Sequence, residues 1–391
     1  MKRNRLGRRG GLPRDAEHLL WLANGLADSS SRAEDHFWDQ RLADAVDGLL
    51  RSEDEEALTT ALDHLSSATS SVHAYDELAD MIESRAEGAL KSDDQHDVLL
   101  ITAPVMAWSR YRIPAAPISG AVMANLRVHL KAHVLATGVK LALADFLFSP
   151  DQLPQGYCAT ADFATHLGKA AETDTDLHIK TDNLPETAQF LSDNRYLLGA
   201  VVVPKGAPIF RWQEEDCSRD LALEQWRAQG GACVAPLLTG CAFEVVLPNA
   251  YFAASREADK ASRPYSIQAS VAFLSTTLDT PAAGVRAVVA PFFERQVEEF
   301  RIGFTLSGQS EVVHGVVWPL LGAEDESSET LGQIEATLQA CGITDILILD
   351  NEFPMEYCDD CGAPMYPSPE GEAVHAELPE EQAEQMPKHL H

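Results

Sequence analysis

Tyr357–Cys358–Asp359–Asp360–Cys361–Gly362–Ala363–Pro364 sets two thiols two residues apart, with a glycine directly behind the second. A tight turn of this kind lets both thiolates face one ion, and the glycine relieves the turn at its end. Two thiolates are half of the four ligands that a structural zinc needs. Further donors stand nearby: His375 follows Cys361 with thirteen residues between them, and His389 and His391 sit at the end of the sequence. Cys341 precedes the last expected strand and could fold back. Three readings of the pair are open: one structural zinc, an unmetallated ordered turn, and a redox couple. Redox chemistry favours a first cysteine at a helix N-terminus, which Gly-Ala-Pro does not start, and the two intervening aspartates raise thiol pKa values.

Other candidates are fewer. Arg110 and Arg256 each follow an expected strand, where α/β bodies often place ligands, and together they could clamp a small anion or carboxylate. The alternative is that each pairs with an acid. His129 and His133 lie four apart on one helical face, but HLKAH lacks the glutamate of HExxH, and two surface histidines account for them. Trp212 and Trp318 read as core aromatics. No GxGxxG, P-loop, GxSxG or kinase motif set is present.

Net charge over the 391 residues is −30, unevenly distributed. Residues 1–14 carry six Lys/Arg and no acid, residues 15–92 carry eighteen acids against five bases, and residues 350–391 carry eleven acids against one base. A body this acidic repels a phosphate backbone, so nucleic-acid contact could run only through the basic arm at 1–14. Apolar stretches are strand-sized, short of the ~20 residues of a membrane span. No apolar h-region follows the basic start, so no secretory signal is expected. Seven cysteines without a disulfide-scaffold spacing point to a reducing cytoplasm.

The elements that must position these residues follow from periodicity. Residues 15–92 predict a helical subdomain of four helices, with Leu19, Leu22, Ala23 and Leu26 on one face of the first and Trp38, Leu42, Val46 and Leu49 on the second. From residue 97 the signature becomes strand and helix in alternation. Strands are expected at 98–101, 139–146, 196–203 and 208–212, with helices at 119–136, near 159–171 and at 218–229. The order then returns: a strand at 243–247, a helix at 265–278, strands at 285–293, 301–306 and 312–318, a helix at 329–341 and a strand at 345–349.

Ser109–Arg110 echoes Ser255–Arg256, Gly138–Val139 echoes Gly284–Val285, and Ala144 with Phe146 echoes Ala290 with Phe292, all at an offset of 146. The fold class expected is therefore α+β: a helical subdomain at 15–92, a duplicated βαβββα body with repeats at 93–240 and 241–350, and an acidic CxxC tail at 351–391. An insertion at 154–195 in the first repeat accounts for the smaller offset of Leu198–Gly199 from Ile302–Gly303.

Leu26–Ala27–Asp28–Ser29 with Phe37–Trp38, the run from Tyr357 to Pro364, and the closing Val374–His375–Ala376–Glu377 and His389–Leu390–His391 resemble an uncharacterised bacterial family of about this length, a domain of unknown function. The resemblance implies a bacterial cytoplasmic origin and brings no activity or catalytic residue. Two functions are consistent with the residues. One is a non-enzymatic binding or adaptor protein with a zinc-stabilised C-terminal element. The other is an enzyme acting on a small anionic metabolite in a cleft between the repeats, with Arg110 and Arg256 as clamps.

Overall fold

The computed structural model describes residues 12–67, 72–88, 95–109, 111–187, 191–322, 324 and 328–379. It is α+β, with a helical N-terminal region followed by a strand-rich body. Helices α1 (Arg14–Ala27), α2 (Arg32–Ser52), α3 (Glu55–Ser66) and α4 (Val72–Glu87) come first. Ser31 accepts a hydrogen bond from the Glu34 backbone N–H and Asp54 from that of Ala57, which start α2 and α3. The expected stripes close one core, including Leu19, Leu22, Leu42, Val46, Leu58 and Ile82. Asp47 is buried there and held by Arg85 and Arg51.

Next come β1 (His96–Trp108), α5 (Gly120–His133), β2 (Lys140–Phe148), α6 (Tyr157–Glu172), β3 (Ser192–Pro204), α7 (Arg219–Gln225), a π-turn at Trp226–Gly230, α8 (Gly231–Val234), β4 (Ala242–Val245) and β5 (Asn249–Ala250). They form an antiparallel sheet of order β2-β3-β1-β4, with β5 also on β1. Alternate side chains of the sheet face two layers. Ile101, Leu141 and Val201 pack with α5 and Trp226, whereas Leu100, Ala142 and Leu198 pack towards α6 and Tyr251.

α9 (Tyr251–Thr277) leads into the second sheet: β6 (Val285–Phe293), β7 (Val297–Leu306), β8 (Val312–Pro319), α10 (Ser328–Ala340), β9 (Asp345–Ile348) and β10 (Phe353–Pro354). β6, β7 and β8 form an antiparallel meander, and β9 and β10 run parallel to β6 on its free side. One face, with Val289, Ile302 and Phe304, is covered by Phe273 of α9 and Ile334 of α10. The other carries Ala290 and Phe292, packed by Phe353. A small antiparallel pair, β11 (Tyr366–Pro367) and β12 (Ala373–Val374), completes the chain. Among the described residues no helix is long and apolar enough to cross a membrane.

Three expectations about the body change. Residues 208–212 form no ladder strand: Gln213 Oε1 accepts the N–H groups of Ile209 and Phe210, leaving one bridge, Leu135 to Phe210. The segment expected to open the second repeat, 243–247, contributes β4, which pairs with β1 of the first sheet. The helix expected at 265–278 starts fourteen residues earlier, at Tyr251, and runs through Pro264.

The helical region meets the body through two helix N-termini. α6 and α9 have no capping side chain of their own. Glu55 receives the N–H groups of Tyr157 and Cys158, and Glu87 that of Phe252. A carboxylate here also meets the positive end of the helix dipole. Burial pushes the Glu87 carboxyl up to about 7, against the pull of the Phe252 N–H, with Glu83 adding to the rise and Arg256 opposing it. A carboxyl raised above its unfolded value of 4.5 binds its proton more tightly in the folded protein, so its stabilising contribution fades as pH rises from about 4.5 to 7. Glu87→Gln is expected to flatten the fall in unfolding free energy between pH 5 and pH 7, measured by denaturant titration. An unchanged slope in the variant would show that Glu87 is not the titrating group.

Candidate metal centre

The candidate centre rests on the second sheet. Gly303 of β7 and Gly315 of β8 stand directly opposite each other in the ladder, leaving a bare patch of backbone. A Cβ at Gly315 would lie 2.3 Å from the Tyr366 ring, and one at Gly303 would lie 2.3 Å from the Pro367 carbonyl oxygen. The two glycines thus let β11 lie against the sheet, with Tyr366 buried.

Beside this patch, Arg301 is fully buried. Its Nε donates to Glu299 Oε1 at 2.6 Å, and its Nη1 donates to the carbonyl oxygens of Glu356 at 2.6 Å and Met365 at 2.8 Å. The guanidinium also stacks over Phe292 and Tyr357, at 4.2 and 5.0 Å from the ring centres. Glu356 and Met365 flank the CxxC loop, and the Met365 N–H donates to the Glu356 carbonyl. Arg301 therefore holds both roots of the loop.

Within the loop, Tyr357 bridges Pro364, the Cys358 N–H donates to Ala363 and the Gly362 N–H to Cys358. Gly362 adopts φ 73°, where a side chain would be strained. The Asp360 backbone N–H holds the Cys358 thiol below its ordinary value, helped by the Cys361 N–H and side chain. This favours the thiolate that a metal requires.

β12 returns antiparallel to β11, Val374 opposite Tyr366, around a turn in which Gly371 has φ 81°. The return delivers His375, whose Nε2 lies 3.3 Å from Cys361 Sγ. One ligand atom from each of Cys358, Cys361 and His375 falls within 4.8 Å of the others. Ligands about 2.3 Å from one tetrahedral ion stand about 3.8 Å apart, so small adjustments bring all three onto one centre. On its other side His375 Nδ1 lies 3.4 Å from Glu377 Oε1, and the Glu377 N–H donates to Val312 of β8 at 2.9 Å. A carboxylate on this side of the ring favours a proton on Nδ1 and leaves Nε2 towards the thiols, although the Glu377 side chain is itself largely exposed. Two thiolates and an imidazole are a donor set suited to zinc, and these residues can hold a metal ion.

The remaining candidates lie elsewhere. Cys341 packs against the core of the second sheet, outside the group of three, and burial pushes its thiol up. Arg256 lies within α9 rather than at a strand end, and its Nη1 donates to both Glu83 oxygens at 2.5 and 2.6 Å. His129 and His133 stack at 5.7 Å, with His133 Nδ1 3.1 Å from Gln225 Oε1, and no third donor joins them among the described residues. Trp318 is buried, as expected, while Trp212 is half-buried and stacks on Phe210. His389, His391, Arg110 and most of the basic arm lie outside the described residues. Arg301 and Glu377 were not singled out by sequence. The only local signals were Glu-x-Arg in a strand and an acid two residues after a candidate histidine.

No curated protein and no solved structure matches the chain. The sequence model of one family, described as protein of unknown function (DUF2863), matches residues 4–389.

Proposed function

The chain belongs to the DUF2863 family, whose function is unknown, and from its own residues we propose that it is a binding or adaptor protein whose C-terminal segment is closed by one structural zinc ion. Cys358, Cys361 and His375 hold the ion, and His389 and His391 are candidates for the fourth position. The observation that carries this reading is the convergence of one ligand atom each from Cys358, Cys361 and His375 to within 4.8 Å of one another. Zinc supplies a cross-link among three passes of a segment with little core of its own. The protein supplies the pre-bent CxxC turn, the tautomer and the platform. Tyr357, half exposed beside the loop, offers an aromatic contact for a partner protein. A reducing cytoplasm would keep the thiols available.

We also read the body as duplicated. β3 and β7 are each flanked on both sides by antiparallel partners. Each carries a buried arginine two residues after the acid it pairs with, Asp193 with Arg195 and Glu299 with Arg301, and each arginine also holds carbonyls of a segment outside the sheet. The third strand precedes the central one in the first half (β1) and follows it in the second (β8), a permuted relation. The enzyme alternative asks Arg256 to surrender Glu83, and no observation favours it.

Metal analysis of protein purified without chelator tests the zinc reading. Near-stoichiometric zinc is expected, lost in Cys358→Ser/Cys361→Ser, together with faster proteolysis at residues 353–379. Wild-type protein free of metal, or a variant that keeps it, would end the assignment.

A further inference from the structure

The first two helices form an exposed groove that the body does not use. Trp21 is 56% exposed and Phe37 44% exposed, unusual for rings this large. Trp38 lies flat on α1 because Gly25 leaves room: a Cβ there would stand 2.8 Å from the indole. Trp21 meets Trp38 edge-on at 5.0 Å, and Phe37 meets Trp38 at 5.1 Å. Beside this cluster a cleft of about 460 Å³ opens between α1 and α2. Its floor includes Leu19, Leu22 and Leu49, Gly48 widens it, and the exposed carboxylates of Asp15 and Asp44 stand on opposite walls. Neither carboxylate has an ion-pair or hydrogen-bond partner within the described side-chain network. Arg41, also on the wall, sits over the Phe37 ring at 3.6 Å, the kind of stacking the groove offers an incoming arginine. The groove thus combines an apolar slot, aromatic faces and negative charge at its rims. Its complement is a short segment with one aliphatic residue among arginines, which pair with carboxylates and stack on aromatic rings.

The chain carries such a segment four residues before α1. Residues 2–9, KRNRLGRR, hold five basic residues and Leu6 as their single aliphatic side chain. An extended chain spans about 3.3 Å per residue, so six residues back from Leu12 reach about 20 Å. The cleft lies alongside the first two turns of α1, about 10 Å of helix at 1.5 Å per residue. Reach, charge and anchor size all agree. We propose that the groove between α1 and α2 is the docking site for residues 2–9 of the same chain, with Leu6 in the cleft and the arginines against Asp15, Asp44 and the aromatic faces. The groove would then be covered until a competing basic segment displaces the arm.

The test uses the full chain with photoreactive p-benzoylphenylalanine in place of Leu6. After irradiation, cross-links are expected within one chain, to peptides containing Trp21 or Leu49. Their yield should fall at least about fivefold in 1 M salt, where charges are screened beyond about 3 Å. A similar loss is expected in Asp15→Lys/Asp44→Lys, whose substitutions are at exposed positions. Adding Arg3→Glu/Arg5→Glu/Arg8→Glu/Arg9→Glu to that variant should restore the yield, which a misfolded groove would not allow. Cross-links between two chains would assign the groove to a second copy and overturn docking in cis. Cross-links elsewhere, none at all, or a yield indifferent to charge reversal would overturn the proposal as well.

Discussion

Arg301→Ala is expected to destabilise the protein by about 3–5 kcal/mol, the usual result of removing one partner from a buried ion pair. The reasons are specific. Glu299, with a side chain only 13% exposed, loses its counter-charge, the Met365 carbonyl loses its guanidinium donor, and the Glu356 carbonyl keeps only the Met365 N–H. Unsatisfied buried groups of this kind cost more than the bond itself was worth. Because both carbonyls belong to the roots of the CxxC loop, metal retention should fall with stability. Arg301→Met/Glu299→Leu separates the two effects. Removing both charges in favour of apolar side chains should recover the part of the loss due to the unpaired Glu299 charge, while the cost of the carbonyl left without its donor, about 1–3 kcal/mol, remains. The loop roots still lose their clamp, so metal should dissociate faster. Denaturant unfolding and metal release into a chromogenic chelator give both readouts. A single variant within about 1 kcal/mol of wild type would mean that water reaches the pair and screens it.

Gly303→Ala and Gly315→Ala should each lift the C-terminal segment from the sheet. The added methyl meets a carbonyl oxygen in one case and an aromatic ring in the other, each at 2.3 Å. Neither obstacle is the free end of a flexible side chain, so backbone must move. Overpacking of this kind costs about 1–3 kcal/mol. The expected signature is local: proteolysis within residues 353–379 and faster metal loss precede unfolding of the sheet. Gly332→Ala on α10 is the control, since nothing lies within 4 Å of its added Cβ. It should be neutral or stabilising by up to about 1 kcal/mol, the helix preference of alanine over glycine. Equal behaviour of the three variants would remove the sheet contact as the cause.

Local patterns were legible. The stripes of α1 to α4 are set by a face that must be buried, and Cys358, Cys361 and Gly362 bring their turn with them. What sequence could not display was long-range pairing. Residues 208–212 are as apolar as a short strand, yet Gln213 takes the N–H groups that a ladder would need. The helix expected at 265–278 begins just after Pro264, whereas α9 carries that proline in its interior and strong helix formers precede it. Residues 242–245 find their partner on β1, more than a hundred positions earlier. In the candidate centre His375 was one of several donors within sequence reach, and the β11–β12 return selects it. Arg301 and Glu377 gain their roles only through contacts with distant backbone, at Glu356 and Val312.

Among the described residues, the second sheet has helices on one face and, on the other, the segment that carries the candidate centre. A chain shortened at residue 353 would bare Ala290, Phe292 and the glycine pair together. The bared face is apolar around one uncovered ion pair, Arg301 with Glu299, and an apolar sheet face left uncovered recruits another of its kind. Truncation would therefore register in the insoluble fraction of expressed protein, through self-association, before any ligand measurement could be made.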